Sequence, residues 1–440
     1  MRVIVWGINY PPELTGIAPF NAALCEFLVE RGHEVTMVTS FPYYPEWKKR
    51  EEDKGYLFRA DLAKNVSIFR CWSFVPKRVS ALRRMVHEAS FVALSLLRVL
   101  FLPRPSVYVV VSPPLLLGVA AWCASVVKRS PFVFHVQDLQ PDAALSLGML
   151  QKGLFARTLY GIESFAYSRA ETVSAISSGI VEKLCTKGVD RQKIVLFPNG
   201  VRLPVVLPTR GGFRRRHGLP DNTFVAVYSG NIGVKQGLDV LVDAGRILES
   251  NGTGSVEHSD AYPIVIVIAG DGARRAVLWE AINRESLRCI LLLPLLPEHE
   301  YLEMLSDADC TVIAQQRDTG EYFFPSKLLS AVAAAKPVLS VADEQSELAK
   351  AVRRNRLGVN VPPGRPELVV EALRMMASGL SHQAGKDLHN AVLSAARPTD
   401  PLAEMGRAGL EFAEQFEMKR VLGAFEDELT RIDVARNGGK

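Results

Sequence analysis

Long apolar runs are missing from this chain. No stretch reaches the ~18–20 uninterrupted apolar residues that a bilayer-spanning helix needs, and the nearest approach, Phe91 to Leu102, is short and carries Arg98. A transmembrane anchor is therefore not expected. Cysteine is sparse and scattered: Cys25, Cys71, Cys123, Cys185, Cys289 and Cys310 form no Cys-x-x-Cys pair and have no histidine cluster beside them. That argues against a disulfide framework and against a zinc site, and favours a reducing compartment. A secretory leader is not expected either, because Met1 runs straight into the strand-like Arg2-Val-Ile-Val-Trp-Gly7, leaving no room for a charged start, apolar middle and cleavage site. The expected location is cytoplasmic. Low-complexity tracts, solenoid-scale repeats, the Gly-x-Gly-x-x-Gly dinucleotide fingerprint and the Walker spacing are all absent.

What is present is an ordinary globular composition, 48% hydrophobic and 22% charged over 440 residues. That length is too great for one compact core, and two domains are expected. The net charge of +5 is mild, but between Arg70 and Arg104 seven Lys/Arg residues face the single acid Glu88. No recognition motif for nucleic acid accompanies this charge, so a nucleic-acid partner is not expected.

Short β-branched runs alternate with helical periodicities, first over Val3–Trp6, Phe20–Arg31, Glu34–Thr39, Val107–Val111, Phe132–Val136 and a helix through the 150s and 160s. A second series follows from Phe224–Ser229 through Leu238–Leu248, Ile264–Gly270, Arg274–Asn283, Cys289–Leu293 and Cys310–Ala314. Such alternation predicts an α/β chain of two doubly wound, mostly parallel sheets. The stretch from Val201 to Gly212, rich in Pro and Gly, reads as a linker, which places the domains at 1–205 and 206–414. In doubly wound sheets ligands gather at the carboxyl ends of the strands, so chemistry is expected in a cleft where two such domains face each other.

Three strand-end constellations stand out. In Gly7-Ile-Asn-Tyr-Pro-Pro-Glu-Leu-Thr-Gly16 a glycine precedes a helix, as a phosphate-binding amide cradle requires, although a plain strand-to-helix connection has the same look. In Tyr228-Ser-Gly-Asn-Ile-Gly-Val-Lys235, Lys235 is either a point charge for a diphosphate or a solvated lysine. In Thr319-Gly-Glu-Tyr-Phe-Phe-Pro-Ser-Lys327, Pro325 and Ser326 start a helix and Lys327 opposes its dipole, which suggests an anion nearby unless the lysine is incidental. Glu321 is placed to accept hydrogen bonds from sugar hydroxyls. His135 and Asp138 follow a strand of the first domain and are read as catalytic or structural. Asp307-Ala-Asp309 has the look of a metal pair but fits better as a helix end running into a strand.

With Arg31-Gly-His-Glu-Val35, Pro42-Tyr-Tyr-Pro-Glu-Trp47, Pro198-Asn-Gly-Val201 and Ala269-Gly-Asp-Gly272, these residues resemble, in order and spacing, the retaining glycosyltransferases of family 4. Polysaccharide enzymes of the colanic acid fucosyltransferase type are among that family. The resemblance implies the GT-B fold, with a C-terminal helix from about 415 to 440 crossing back to the first, acceptor-side domain. It implies a nucleotide-sugar donor held by Gly16, Gly230, Asn231, Gly270, Pro294, Pro325, Ser326 and Ser330. It also implies metal-independent retention, without a cofactor, in which Lys235 and Lys327 meet the departing phosphate while His135, Asp138 and Glu321 serve the reacting sugar. The chain departs from the family at Ser330 and Tyr322, where a pair of glutamates is common, and at Asn231, Gln236 and Arg202. Alternatives are a nucleotide-sugar epimerase of the same fold and a noncatalytic nucleotide-sugar-binding subunit. The cluster Lys77, Arg78, Arg83 and Arg84 ahead of the apolar run predicts reversible docking on an anionic membrane, and with it a lipid-linked saccharide acceptor at the inner face of the cytoplasmic membrane. A core helix with a solvated basic face is the other reading.

Overall fold

The structure, a computed structural model, describes residues 1–13, 16–78, 80–146, 153–203, 205–250, 263–317, 326–379 and 400–437. The chain divides into two compact units, Met1–Gly200 with Lys419–Lys440, and Val201–Met418.

In the first unit β1 (Arg2–Trp6), α1 (Ala18–Glu30), β2 (Glu34–Ser40), β3 (Phe58–Ala63), β4 (Val66–Cys71) and α2 (Ala81–Phe101) come first. There follow β5 (Val107–Ser112), α3 (Leu117–Lys128), β6 (Phe132–Val136), α4 (Gln140–Ser146), α5 (Leu154–Arg169), β7 (Thr172–Ala175), α6 (Ser178–Thr186) and β8 (Ile194–Leu196). The strands form one sheet in the order β3-β4-β2-β1-β5-β6-β7-β8. Its middle strands β5 and β6 are buried along their whole length, as helices on both faces demand, which is why they read as unbroken apolar runs. Among the described strands of this sheet only β3 runs antiparallel, against β4. Sequence patterning misses this hairpin because Arg59, Asp61 and Arg70 interrupt it. In the fold these charges pair with one another, Arg59 with Asp61 at 3.0 Å and Arg70 with Asp61 at 2.8 Å.

The second unit runs through α7 (Gly212–Arg216), β9 (Phe224–Ser229), α8 (Asp239–Ser250), β10 (Ile264–Ala269), α9 (Arg275–Arg284), β11 (Ile290–Leu293) and α10 (Glu298–Asp307). It continues with β12 (Cys310–Ala314), α11 (Ser326–Ala333), β13 (Val338–Val341), α12 (Glu347–Arg354), β14 (Gly358–Val361), α13 (Pro366–Ser378) and α14 (Pro401–Glu414). All described pairings in its sheet, β11-β10-β9-β12-β13-β14, are parallel. The strand order reverses between β9 and β12, so the switch point lies between the loops that follow those two strands.

The Pro- and Gly-rich stretch after Gly200 is not a free tether. Val201, Leu203 and Val205 pack against the core built on Leu328, Leu329 and Val332, and Val201 exchanges backbone hydrogen bonds with Phe416 and Met418 at 2.8 Å each. Proline removes donors here but leaves the apolar side chains free to pack. Asp307 and Asp309 are consumed by the same region. Asp307 accepts from the amides of Gly211 and Arg214, and Asp309 accepts from Arg210, from Arg214 at 2.8 Å and from the Val225 amide at 2.7 Å.

The last helix, α15 (Met418–Asn437), is grouped with the first unit from Lys419 onward. Phe425 stacks on Phe197 with ring centroids 3.8 Å apart, while Glu426 meets Arg31 at 3.0 Å and His33 at 2.9 Å. Truncating this ring leaves a cavity lined by an unsupported aromatic. Phe425→Ala is expected to destabilise the first unit by about 3–5 kcal/mol, seen in urea denaturation as an early unfolding phase while the phase of the second unit keeps its midpoint.

Candidate active site

The carboxyl edge of the second sheet is assembled by register. Ser229, Ala269 and Leu293 are aligned across β9, β10 and β11, so the residues that follow them, Gly230, Gly270 and Pro294, stand side by side. Gly230 donates its amide to the Ala269 carbonyl at 2.9 Å, and Gly270 donates to Leu293 at 3.1 Å. Gly270 has no room for a side chain, and at Gly230 one would displace Lys327 and strain the backbone. A Cβ on Gly270 would lie 1.8 Å from the Gly230 carbonyl oxygen, and one on Gly230 would lie 2.6 Å from Lys327 Cε. Both also adopt positive φ, 125° at Gly230 and 156° at Gly270, which side chains disfavour.

Lys327, in the first turn of α11, fills the space that Gly230 leaves. Its Nζ lies 4.0 Å from the Tyr228 ring centroid and donates to the Tyr228 hydroxyl, which in turn donates to the Asn231 carbonyl at 2.5 Å. Lys327 is thus not the solvent-exposed lysine that a helix start implies. Burial costs the ammonium its hydration, and its pKa is pushed down to about 7, so the group sits near its own titration point. Nothing in the sequence marks Tyr228 as its partner. Its position near the strand end, two residues before Gly230, is the signal the sequence offers.

Lys235 lies in a short turn over Val234–Gln236, half-buried, and its carbonyl accepts from the Gln316 amide at 2.6 Å. This bond ties the loop after β9 to the loop after β12, across the switch point. A cavity of about 260 Å³ opens there, lined among others by Gly237, Asp239, Asp243, Gln315, Gln316 and Arg317. Sequence reasoning missed it because its lining comes from segments far apart in the chain: the start of α8, the loop after β12, the end of β13 and the loop after β14. Glu321 and Pro325 lie outside the described residues, as does the side chain of Ser326, whose backbone opens α11.

The first unit holds the remaining candidates. Gly16, exposed, has φ of 69°, and a Cβ there would meet only Tyr44 Cε1 at 3.8 Å; the backbone rather than crowding requires the glycine. It precedes α1, whose N-cap Ile17 offers no side-chain hydrogen bond. His135 is corrected from a strand-end to an interior residue. It lies within β6, 3% exposed, with Nδ1 2.9 Å from Ser174 Oγ and Nε2 2.9 Å from the Gln137 amide. Phe197 and Phe425 pack beside its ring. Burial lowers its pKa to about 3 and keeps it neutral, which suits a core polar network better than proton transfer. Asp138, in the turn after β6, is half-buried.

The basic cluster is divided. Lys77, Arg78 and Arg83 are exposed, and Arg83 donates to the Arg78 carbonyl at 3.2 Å. Arg84 departs from the group: it pairs with Glu88 at 3.0 Å, and its charge is felt by Tyr43 and Tyr44 and feels Asp138, which places it on the strand-end side of α2.

Comparison with known proteins matches residues 15–200 to the glycosyl transferase 4-like domain and residues 210–384 to the glycosyl transferases group 1 domain. The chain belongs to these glycosyltransferases. It is 29% identical, over 85% of its own length and 91% of the relative's, to the Escherichia coli protein named as a colanic acid biosynthesis glycosyl transferase, WcaI. Among solved structures, sucrose-phosphate synthase from Thermosynechococcus elongatus aligns over 99% of both chains with a TM-score of 0.72 and 14% identity. Anabaena HepE in complex with UDP-glucose aligns over 98% of this chain and all of its own, 100%, with a TM-score of 0.66 and 14% identity. These likenesses establish the GT-B fold.

In this glycosyltransferase Ser330 stands where a family glutamate is common, and its hydroxyl bonds to Tyr301 of α10, a phenol whose pKa burial otherwise raises. The sign of the Lys327 titration gives a test. A bound diphosphate favours the ammonium and raises its pKa, so nucleoside diphosphate affinity is expected to be greatest below pH 7 and to fall as pH rises through and above about 7. Calorimetric titration with UDP or GDP between pH 7 and 9 should show this slope in the wild type and a flat, weaker profile in Lys327→Ala.

Proposed function

We propose that the chain transfers a sugar from a nucleotide diphosphate donor, with retention of configuration, to a lipid-linked saccharide acceptor in bacterial surface or exopolysaccharide synthesis. The observation that carries this reading is the desolvated ammonium of Lys327 beside the Gly230 and Gly270 turns, at the switch point of a parallel sheet. As the glycosidic bond of the donor breaks, negative charge develops on the departing phosphate oxygen. A fixed cation in a site of low dielectric stabilises that charge more than the same cation in water, and no reorganisation is needed at the moment of reaction. Lys327 supplies the cation, and the amides of the first turn of α11 supply donors. Lys235 is the second candidate cation, and Asp138, rather than His135, the carboxyl edge residue of the first unit available to the acceptor. The relatives are named for colanic acid biosynthesis and for a UDP-glucose complex, which supports the polysaccharide and nucleotide-sugar parts of the reading.

The mechanism requires neither metal nor cofactor. The new linkage is expected to keep the donor's anomeric configuration, and activity to survive EDTA, with product stereochemistry read by NMR. Inversion or a strict metal requirement would overturn the mechanism. Isomerisation of free nucleotide sugar without acceptor would instead favour an epimerase.

Work at the inner face of the cytoplasmic membrane, as a peripheral protein, is part of the same proposal. Among the described residues no helix is long and apolar enough to cross a membrane. On α2, however, His87, Phe91, Ser95 and Val99 are buried, while Met85, Ala89, Ala93, Leu97 and Phe101 are exposed on the opposite side at four-residue spacing, Phe101 by 77%. Lys77 and Arg78 precede the helix, and Arg83, exposed in its first turn, stands one turn before His87. Apolar insertion with about 1 kcal/mol from each basic residue near anionic lipid gives reversible docking. In vesicle co-sedimentation, binding is expected only with anionic lipid, weaker at high salt, and largely lost in an Arg83→Glu, Phe101→Ser double variant. Equal binding of wild type and variant would remove this surface.

A further inference from the structure

β3 ends the first sheet, and the way it is joined to β4 fixes what its outer edge presents. The turn Lys64-Asn65, with φ of 49° and 60°, connects the two strands, and both residues take the left-handed conformation of a type I′ hairpin turn. Such a turn makes Ala63 and Val66 a hydrogen-bonded pair. At the other end of the same register the Trp72 amide donates to the Leu57 carbonyl at 2.8 Å. Hydrogen-bonded pairs alternate along an antiparallel ladder. Leu57, Arg59, Asp61 and Ala63 therefore direct their backbone groups at β4, and Phe58, Ala60 and Leu62 turn theirs outward. Ala60 and Leu62 are exposed, Leu62 by 72%, and among the described residues no strand lies beyond them.

An open row of this kind is a template for another strand, and proteins blunt it with proline, a bulge or uncompensated charge. β3 has none of these. Its sequence Phe-Arg-Ala-Asp-Leu-Ala holds no proline, and its unbroken register with β4 leaves no bulge. Its two charges are neutralised within the unit, Arg59 by Asp53 at 2.6 Å and Asp61 by Arg70 at 2.8 Å. Lys64, at the turn, is held by Glu26 at 2.8 Å.

The order of residues says which strand fits this edge. Let two copies of β3 lie antiparallel about a two-fold axis beside Ala60. Phe58, Ala60 and Leu62 of one copy then face Leu62, Ala60 and Phe58 of the other, so every outward N–H and C=O finds a partner and the larger apolar side chains oppose one another. On the other face of the sheet Arg59 of each copy stands opposite Asp61 of the other. The neighbouring registers that keep the hydrogen bonds set either Arg59 against Arg59 or Asp61 against Asp61, and like charges directly opposite are destabilising. Hydrogen bonding and charge thus select one register, and that register is self-complementary. A strand of another protein would have to reproduce this order of size and charge, which β3 supplies by itself.

We propose that β3 is the contact of a homodimer in which the first sheets of two copies join edge to edge as one continuous sheet. The axis is perpendicular to the sheet, so each sheet face points the same way in both copies. One of these faces carries Phe69, opposite Ala60, and Arg98 of α2 lies over the Phe69 ring at 4.1 Å. Both α2 helices are therefore held on one side of the dimer. The proposal does not depend on the glycosyl transfer reading. One strand pair is a small contact against the roughly 1,600 Å² of a standard interface, so the dimer is reversible and forms as concentration rises.

Sedimentation velocity of the full chain, from low to high micromolar concentration, is expected to show a monomer–dimer equilibrium. Ala60→Pro removes an outward N–H and spares the ladder to β4, and Leu62→Lys places a charge on the edge. Each should weaken the dimer about tenfold or more, while the circular dichroism spectrum and thermal midpoint stay close to those of wild type. Oxidation reads the register. In Ala60→Cys the new thiol meets its own counterpart across the axis, with Cα atoms about 5.5 Å apart and so within disulfide reach, and a covalent dimer is expected. Leu62→Cys, which faces Phe58, should give none, and neither should wild type, whose six cysteines are buried or half-buried. A monomer at every concentration, a dimer untouched by both edge substitutions, or a disulfide from Leu62→Cys but not from Ala60→Cys would overturn the proposal.

Discussion

The Gly230 carbonyl occupies the place where a side chain on Gly270 would begin, and the carboxyl edge of the second sheet depends on that contact. The two turns close on each other, Tyr228 next to the end of β9 is buried, and the stem of Lys327 lies over Gly230. The lysine is desolvated by this packing, and its lowered pKa follows from the same cause. A larger residue at Gly270 would separate the turns, and one at Gly230 would displace the Lys327 side chain from its place over Tyr228. Charge, geometry and proton affinity at this edge therefore have one origin in backbone contact.

The sequence makes the two parallel sheets legible because buried parallel strands must be apolar throughout and their connections must be helical. The glycine turns are legible for a related reason, since a strand that stops at a glycine and resumes as a helix has few other uses. Partnerships formed across long separations are not legible. Tyr228 finds Lys327, His135 finds Phe425, and Glu13 finds the amides of Tyr43 and Tyr44, and no local pattern announces any of these pairs. His135 shows the cost of reading position without depth: it is close to the end of its strand by number but lies in the core. The β3–β4 hairpin is hidden by charges that neutralise one another only after folding.

α2 serves two purposes on opposite sides. Its first turns send Arg84 and Glu88 toward the strand ends, while its outward stripe of Met85, Leu97 and Phe101 keeps apolar side chains in water. Treating every basic residue at its start as one patch merges these roles. The four-residue spacing of the exposed stripe separates them, because it lies directly opposite the buried spacing of Phe91, Ser95 and Val99.

The return of the last helix to the first unit has a bearing on the order of events during synthesis. Val201–Met418 has all of its strands and cores within a continuous stretch, so it can close as soon as that stretch has left the ribosome. The earlier unit cannot: Phe197 lacks its stacking partner, and Arg31 and His33 lack Glu426, until nearly the whole chain has emerged. At translation rates of about 5–20 residues per second, the part of the protein made first waits tens of seconds for its final helix. The half begun first is thus the half finished last, and its apolar surfaces spend that interval uncovered.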